Sequence, residues 1–174
     1  MEFYNRKSTR LLKYNYSEKG AYFITICTHN RKNILSEIVS VGDGVLDVPK
    51  NKLTLIGKVA DQQLNNFNNF YSNITIDKYV IMPNHIHLLI QITSDSVSGS
   101  SRTPTPTNME IPRFVSTFKR FCNQEYDKNI WQRSFHDHII RNQKDYDRIW
   151  NYIETNPYKW EQDCFYKKED ISQL

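Results

Sequence analysis

What the chain has little of narrows the field first. Its three cysteines, Cys27, Cys122 and Cys164, stand far apart and are odd in number, which speaks against a disulfide framework and against a cysteine-ligated zinc cluster. No stretch approaches the roughly twenty apolar residues of a membrane span, and the opening Met1-Glu2-Phe3-Tyr4-Asn5 is polar where an export signal needs an apolar run. Charge of one sign is also scarce, since a net charge of +4 permits a nucleic-acid partner without demanding one. These absences imply a protein of the reducing cytoplasm with no membrane partner. At 174 residues the chain fits one domain that buries a core without covalent help.

What is present in quantity is aromatic. Eleven tyrosines and nine phenylalanines dominate an aromatic fraction of 13%. Two of them, Tyr14 and Tyr16, join the cations of Asn5-Arg6-Lys7-Ser8-Thr9-Arg10-Leu11-Leu12-Lys13-Tyr14-Asn15-Tyr16, which has neither helical nor strand periodicity and reads as an extended basic arm over residues 1–20. Cations for phosphates and rings for base stacking are what a single-stranded nucleic-acid contact uses, although a basic tail can also be merely solvated.

Periodicity then sets the elements. Alternation in Ala21-Tyr22-Phe23-Ile24-Thr25-Ile26-Cys27-Thr28 predicts a strand, and Gly42-Asp43-Gly44 predicts a small hairpin within 39–52. Ile56, Val59, Ala60, Leu64, Phe67 and Phe70 recur at helical spacing over 55–70. Residues 74–81 and 86–93 read as a strand pair around Met82-Pro83-Asn84, and 94–108, rich in Ser, Thr and Pro, as a flexible loop. A helix from Ile111 to Tyr126 follows, with Lys119 and Arg120 on its polar side, where they could flank a nucleic-acid groove. Residues 131–140 read as a strand. A helix beginning at Asn142 or Asp145 ends at Pro157, and 161–174 reads as a polar tail. Strand, helix, strand, strand, helix, strand is the order of a ferredoxin-like βαββαβ α+β fold: an antiparallel four-stranded sheet with two helices on one face, here with an additional C-terminal helix.

Two His-x-His pairs carry the chemistry. Side chains alternate along a strand, so His85 and His87 share one face and Ile86, Leu88 and Ile90 the other; two imidazoles on one wall can hold a divalent metal but need further ligands. His136 and His138 share a face in the same way, and spacing alone does not choose between the pairs. On the last helix Tyr152 lies about 100° off the apolar stripe of Tyr146, Ile149, Trp150 and Ile153, with Asn156 one turn further on. A surface tyrosine and a capping asparagine before proline would have the same spacing.

These residues resemble the REP-associated tyrosine transposases, members of the single-tyrosine HUH endonuclease superfamily. The matching pieces are Asn5 to Leu11, Tyr22 to Thr28, Met82-Pro83-Asn84-His85-Ile86-His87-Leu88-Leu89, Trp131-Gln132-Arg133-Ser134-Phe135 with His138-Ile139-Ile140-Arg141, and Tyr152-Ile153-Glu154-Thr155-Asn156-Pro157. They run in family order over nearly the whole chain. The resemblance selects the first histidine pair and implies a metal-dependent endonuclease and strand transferase acting on single-stranded or hairpin DNA. In that reading Mg²⁺ or Mn²⁺ sits at His85, His87 and Asn156, Tyr152 is the nucleophile, and a 5′-phosphotyrosine is the intermediate. It further implies recognition of a short tetranucleotide by the arm, with Arg6, Lys7, Arg10 and Tyr14 as the candidate contacts. Two features depart from the pattern: the excursion over 96–107, and His136 where an aromatic residue is expected. The competing reading is a non-catalytic ferredoxin-like DNA- or RNA-binding module, which explains the tyrosines and cations but not His85, His87, Tyr152 and Asn156 together. A simple metal-dependent hydrolase would have no use for Tyr152. Monomer and homodimer are both compatible with the sequence.

Overall fold

The computed structural model describes residues 18–41, 48–67, 71–93 and 110–166. Among the described residues six strands, β1 (Gly20–Cys27), β2 (Ser36–Val41), β3 (Val48–Leu53), β4 (Ile74–Ile81), β5 (His85–Ile92) and β6 (His136–Ile140), accompany three α-helices, α1 (Leu55–Phe67), α2 (Glu110–Tyr126) and α3 (Gln143–Thr155). The main sheet has the order β4-β5-β1-β6, antiparallel throughout, and β2 and β3 form the expected separate hairpin. With β1 and β5 as the central neighbours this is the split βαβ arrangement, and α1 and α2 cover one face of it.

Burial follows the alternation. Tyr22, Ile24 and Ile26 of β1, with Ile86, Leu88 and Ile90 of β5, point into the core that α1 and α2 complete through Leu64, Phe67, Phe114 and Phe118. The odd-numbered positions face the other way, and α3 covers part of that face by burying Ile149 and Ile153 against Leu89. Each such side chain contributes roughly 1.5–3 kcal/mol by leaving water. Polar contacts then fix where α3 lies. The Tyr146 hydroxyl donates to Asp77 Oδ2 at 2.7 Å, and Lys78 donates to Glu154 at 2.6 Å with its ammonium 4.2 Å from the Trp150 ring centroid. Asp77 sits at a register shift in β4, a bulge that re-aims its side chain.

Two elements differ from expectation. The last sheet strand is five residues, His136–Ile140, and not 131–140. Between the Thr28–Trp131 bridge and the Thr25–His136 pair the register shifts by two residues, because Lys119 Nζ takes the carbonyls of Gln132 and Ser134 at 2.8 Å each. The stretch assigned to a tail is structured as far as residue 166. A 3-10 turn, Asn156–Gln162, buries Asn156 and Trp160 and leads Asp163 back to the sheet. The expected basic arm over 1–20 and the expected loop over 94–108 fall on residues outside the described ones, apart from 18–20.

Candidate metal and tyrosine centre

The centre is built on the sheet face opposite α1 and α2. Pro83 O accepts from Ile34 N and Leu35 N, both at 2.9 Å, and Met82 N donates to His85 O at 2.8 Å, so the turn before β5 is clamped. From it His85 and His87 project side by side, 0% and 1% exposed, with their Nε2 atoms 3.0 Å apart. That separation equals the span of two nitrogens at right angles on one ion with bonds of about 2.1 Å.

Neighbours decide which nitrogens are free. Asn84 donates its amide to Phe165 O at 2.9 Å, which turns Asn84 Oδ1 toward His85 Nδ1 at 2.9 Å. An amide oxygen only accepts, so His85 carries its proton on Nδ1 and offers the Nε2 lone pair. His87 Nδ1 lies 2.9 Å from the Thr25 hydroxyl, which can donate or accept, so His87 can change tautomer without losing its partner. Burial holds both imidazoles neutral: it lowers His85 to about 4, aided by the Arg31 charge and opposed by Asp163, and lowers His87 well below its ordinary value, aided by His85. Neutral imidazoles are the metal-binding form.

From α3, Tyr152 brings its hydroxyl to 3.3 Å from His87 Nε2 and donates to Asp163 Oδ2 at 3.0 Å. Burial, and after it Asp163, pushes the phenol well above its usual pKa, so at neutral pH it is protonated. Asn156 is 2% exposed; its amide donates to Asp163 Oδ2 at 2.8 Å, and its Oδ1 is buried with no hydrogen-bond partner in the protein. The ligand atoms of His85, His87 and Asp163 all lie within 4.8 Å of one another. This donor set, with the unpaired amide oxygen beside it, fits a divalent ion. A cleft of about 600 Å³ opens over Tyr152, Asn156 and Asp163, with Lys159 on its wall.

The fold thus brings His85, His87, Tyr152 and Asn156 together and adds Asp163, which sequence reasoning missed. The signal for it was indirect: Trp160, Phe165 and Tyr166 are too aromatic for a solvated tail, and the Phe165 ring does pack 4.6 Å from that of His85. Asp163 sets a carboxylate beside the neutral donors of His85, His87 and Asn156. Lys119 and Arg120 are not part of the cluster; they sit on α2, beyond the other face of the sheet. Arg6, Lys7, Arg10 and Tyr14 lie outside the described residues. The second pair stands apart as well: His136 and His138 are exposed, and His138 Nε2 bonds Asp145 Oδ2 at 2.7 Å.

The fold is transposase-like. A solved REP-associated tyrosine transposase bound to a REP hairpin superposes with a TM-score of 0.59 over 87% of this chain and 74% of that one, at 22% identity, a likeness of fold. No protein-family model matches the chain. An uncharacterised Haemophilus influenzae protein is 34% identical over 94% of both chains. A second H. influenzae protein and one from Escherichia coli, both named as REP-associated tyrosine transposases, are 33% and 36% identical over 45% and 48% of this chain; the matches span about half of each relative, 47% and 44%. Over about half its length the chain is similar to the REP-associated tyrosine transposases, and its fold is like theirs.

Proposed function

We propose that this protein is a metal-dependent DNA endonuclease and strand transferase that cuts at or near REP-type hairpins in the cytoplasm, with Tyr152 as nucleophile. The observation that carries the reading is the Tyr152 hydroxyl 3.3 Å from His87 Nε2 and 3.0 Å from Asp163, inside a cluster able to hold a metal ion. His85, His87 and Asn156 Oδ1 would hold Mg²⁺ or Mn²⁺, with Asp163 as a further oxygen donor beside them. When bound, the ion supplies positive charge that polarises the scissile phosphate.

The protein's own groups do the rest. Thr25 and Asn84 orient the imidazoles, and Asp163 Oδ2 is placed to take the phenol proton as the Tyr152 oxygen attacks phosphorus. The bond from phosphorus to the 3′ oxygen breaks, leaving a 5′-phosphotyrosine and a free 3′-hydroxyl that can reverse the step. No water is consumed, so the bond energy is kept for rejoining. Arg6, Lys7, Arg10 and Tyr14 would contact the DNA, with Lys119 and Arg120 flanking its path. The non-catalytic module is the weaker reading, since a base-stacking sheet needs an open face and here α3 packs over Phe23, Leu89 and Val80.

The test is to incubate protein, Mn²⁺ and a labelled single-stranded hairpin and look for an adduct that survives denaturation. Wild type should form it and Tyr152→Phe should not. Cleavage without an adduct would favour a hydrolase.

A further inference from the structure

A groove of about 620 Å³ runs between the C-terminal half of α2 and the loop after it, with Lys119, Arg120, Asp127, Lys128, Trp131 and Arg133 in its lining. It is separate from the histidine and tyrosine centre. Arg120, Lys128 and Arg133 are exposed, whereas Lys119 is half-buried and holds the loop carbonyls already described. The loop is fixed in other ways too. Asn123 Oδ1 accepts from Ile130 N at 3.1 Å, Asn129 Oδ1 from Trp131 N at 3.3 Å, and the Trp131 ring, 1% exposed, packs 5.5 Å from Phe118. The cations therefore sit on a rigid frame. Against the four stand one carboxylate, Asp127, and the half negative charge of a helix C-terminus, which leaves the groove strongly positive.

The loop is also joined to the centre. Gln132 N donates to Cys27 O at 2.9 Å and His29 N to Ile130 O at 2.8 Å, and Cys27 is the cross-strand partner of His85. The groove thus lies at the end of the sheet from which His85 projects. Its volume is that of a cleft for one small molecule, suited to about one nucleotide of a single strand and not to a duplex.

We propose that this groove binds the phosphodiester backbone of a single DNA strand entering or leaving the Tyr152 centre. The inference rests on the reading of the chain as a DNA-cleaving enzyme. Its probe is hairpin DNA with and without a single-stranded extension, measured across a salt series with wild type, Lys128→Ala/Arg133→Ala and Lys128→Glu. Both variants should bind the extended hairpin at least several-fold more weakly. The double variant should flatten the slope of log affinity against log salt by about 1.4, since each single-strand phosphate contact contributes about 0.7. Adduct formation on the unextended hairpin should be unchanged. An unaltered salt slope in both variants, equal losses with and without the extension, or a greater loss on RNA of the same sequence would overturn the groove. If wild type forms no adduct while the slope changes as expected, the catalytic reading falls and the groove stands.

Discussion

The chain holds two His-x-His pairs on the same face of one sheet, and strand β1 stands between them. Thr25 pairs across the sheet with His87 on one side and with His136 on the other. Sequence spacing is identical and so is the local conformation, yet the environments diverge. His85 and His87 are sealed beneath Phe165, Trp160 and Tyr152, whereas His136 and His138 face water at the sheet edge. What sets the first pair apart is enclosure and oriented partners: burial keeps it neutral, and Asn84 and Thr25 aim its nitrogens.

The largest expected effect separates the pairs directly. His85→Ala or His87→Ala should cut Mn²⁺-dependent adduct formation by about a hundredfold or more, given that outer-shell changes alone lose 10–100-fold. His136→Ala should stay within about twofold, a difference too small to reflect a lost metal ligand; comparable losses at both pairs would break the distinction. Asp163→Asn ranks next. Loss of the proton acceptor beside Tyr152 should slow adduct formation by about a hundredfold, with a rate that climbs more steeply with pH as hydroxide takes over. Thr25→Val should weaken Mn²⁺ binding by about tenfold and leave the fold intact, which titration of the metal against calorimetric heat would read.

Acid stability sharpens the same contrast. An unfolded chain protonates its histidines near pH 6.5, but the buried first pair resists until far lower, His85 to about 4. Between those values the unfolded state binds more protons, so stability is fully present above pH 6.5 and is lost as pH falls toward 4. Thermal melting from pH 7 to 5 should show that decline in wild type, should show less of it in His87→Gln, and should show it undiminished in His136→Gln.

Much of this arrangement was legible in the sequence, because it depends on local periodicity. Alternation put His85 and His87 on one face and Ile86, Leu88 and Ile90 on the other, and the 3.6-residue turn set Tyr152 off the apolar stripe. Of the two starts the sequence offered for α3, Asn142 and Asp145, the structure takes the first, with the Asn142 side chain accepting from Asp145 N. What escaped is nonlocal. Asp163 reaches the centre only through the compact turn after Pro157, and residues 131–135 leave the sheet because Lys119, on another element, takes their carbonyls. No periodicity in the sequence marks either contact. Nor does spacing reveal burial, which is why spacing alone does not choose between the two histidine pairs and only the resemblance does.

The smallest effect belongs to the exposed pair. His138 shares Asp145 with Arg148, whose guanidinium reaches Asp145 Oδ1 at 2.6 Å, and the Arg148 bond first, then that of His138, lowers the carboxyl below its ordinary value. A depressed carboxylate adds stability above its unfolded pKa and loses it as pH falls through the folded one, a window below that of the buried histidines. Surface pairs of this kind contribute at most about 1 kcal/mol and are screened by salt. His138→Ala should therefore lower the melting temperature slightly in dilute buffer and hardly at all in high salt. Asp145 lies seven residues before Tyr152, about 10 Å along α3, and the helix is held over the sheet by Ile149, Ile153 and the Tyr146–Asp77 bond. Adduct formation by His138→Ala should accordingly match wild type; a large loss would mean that the N-terminus of α3, and not its apolar face, sets the position of the tyrosine.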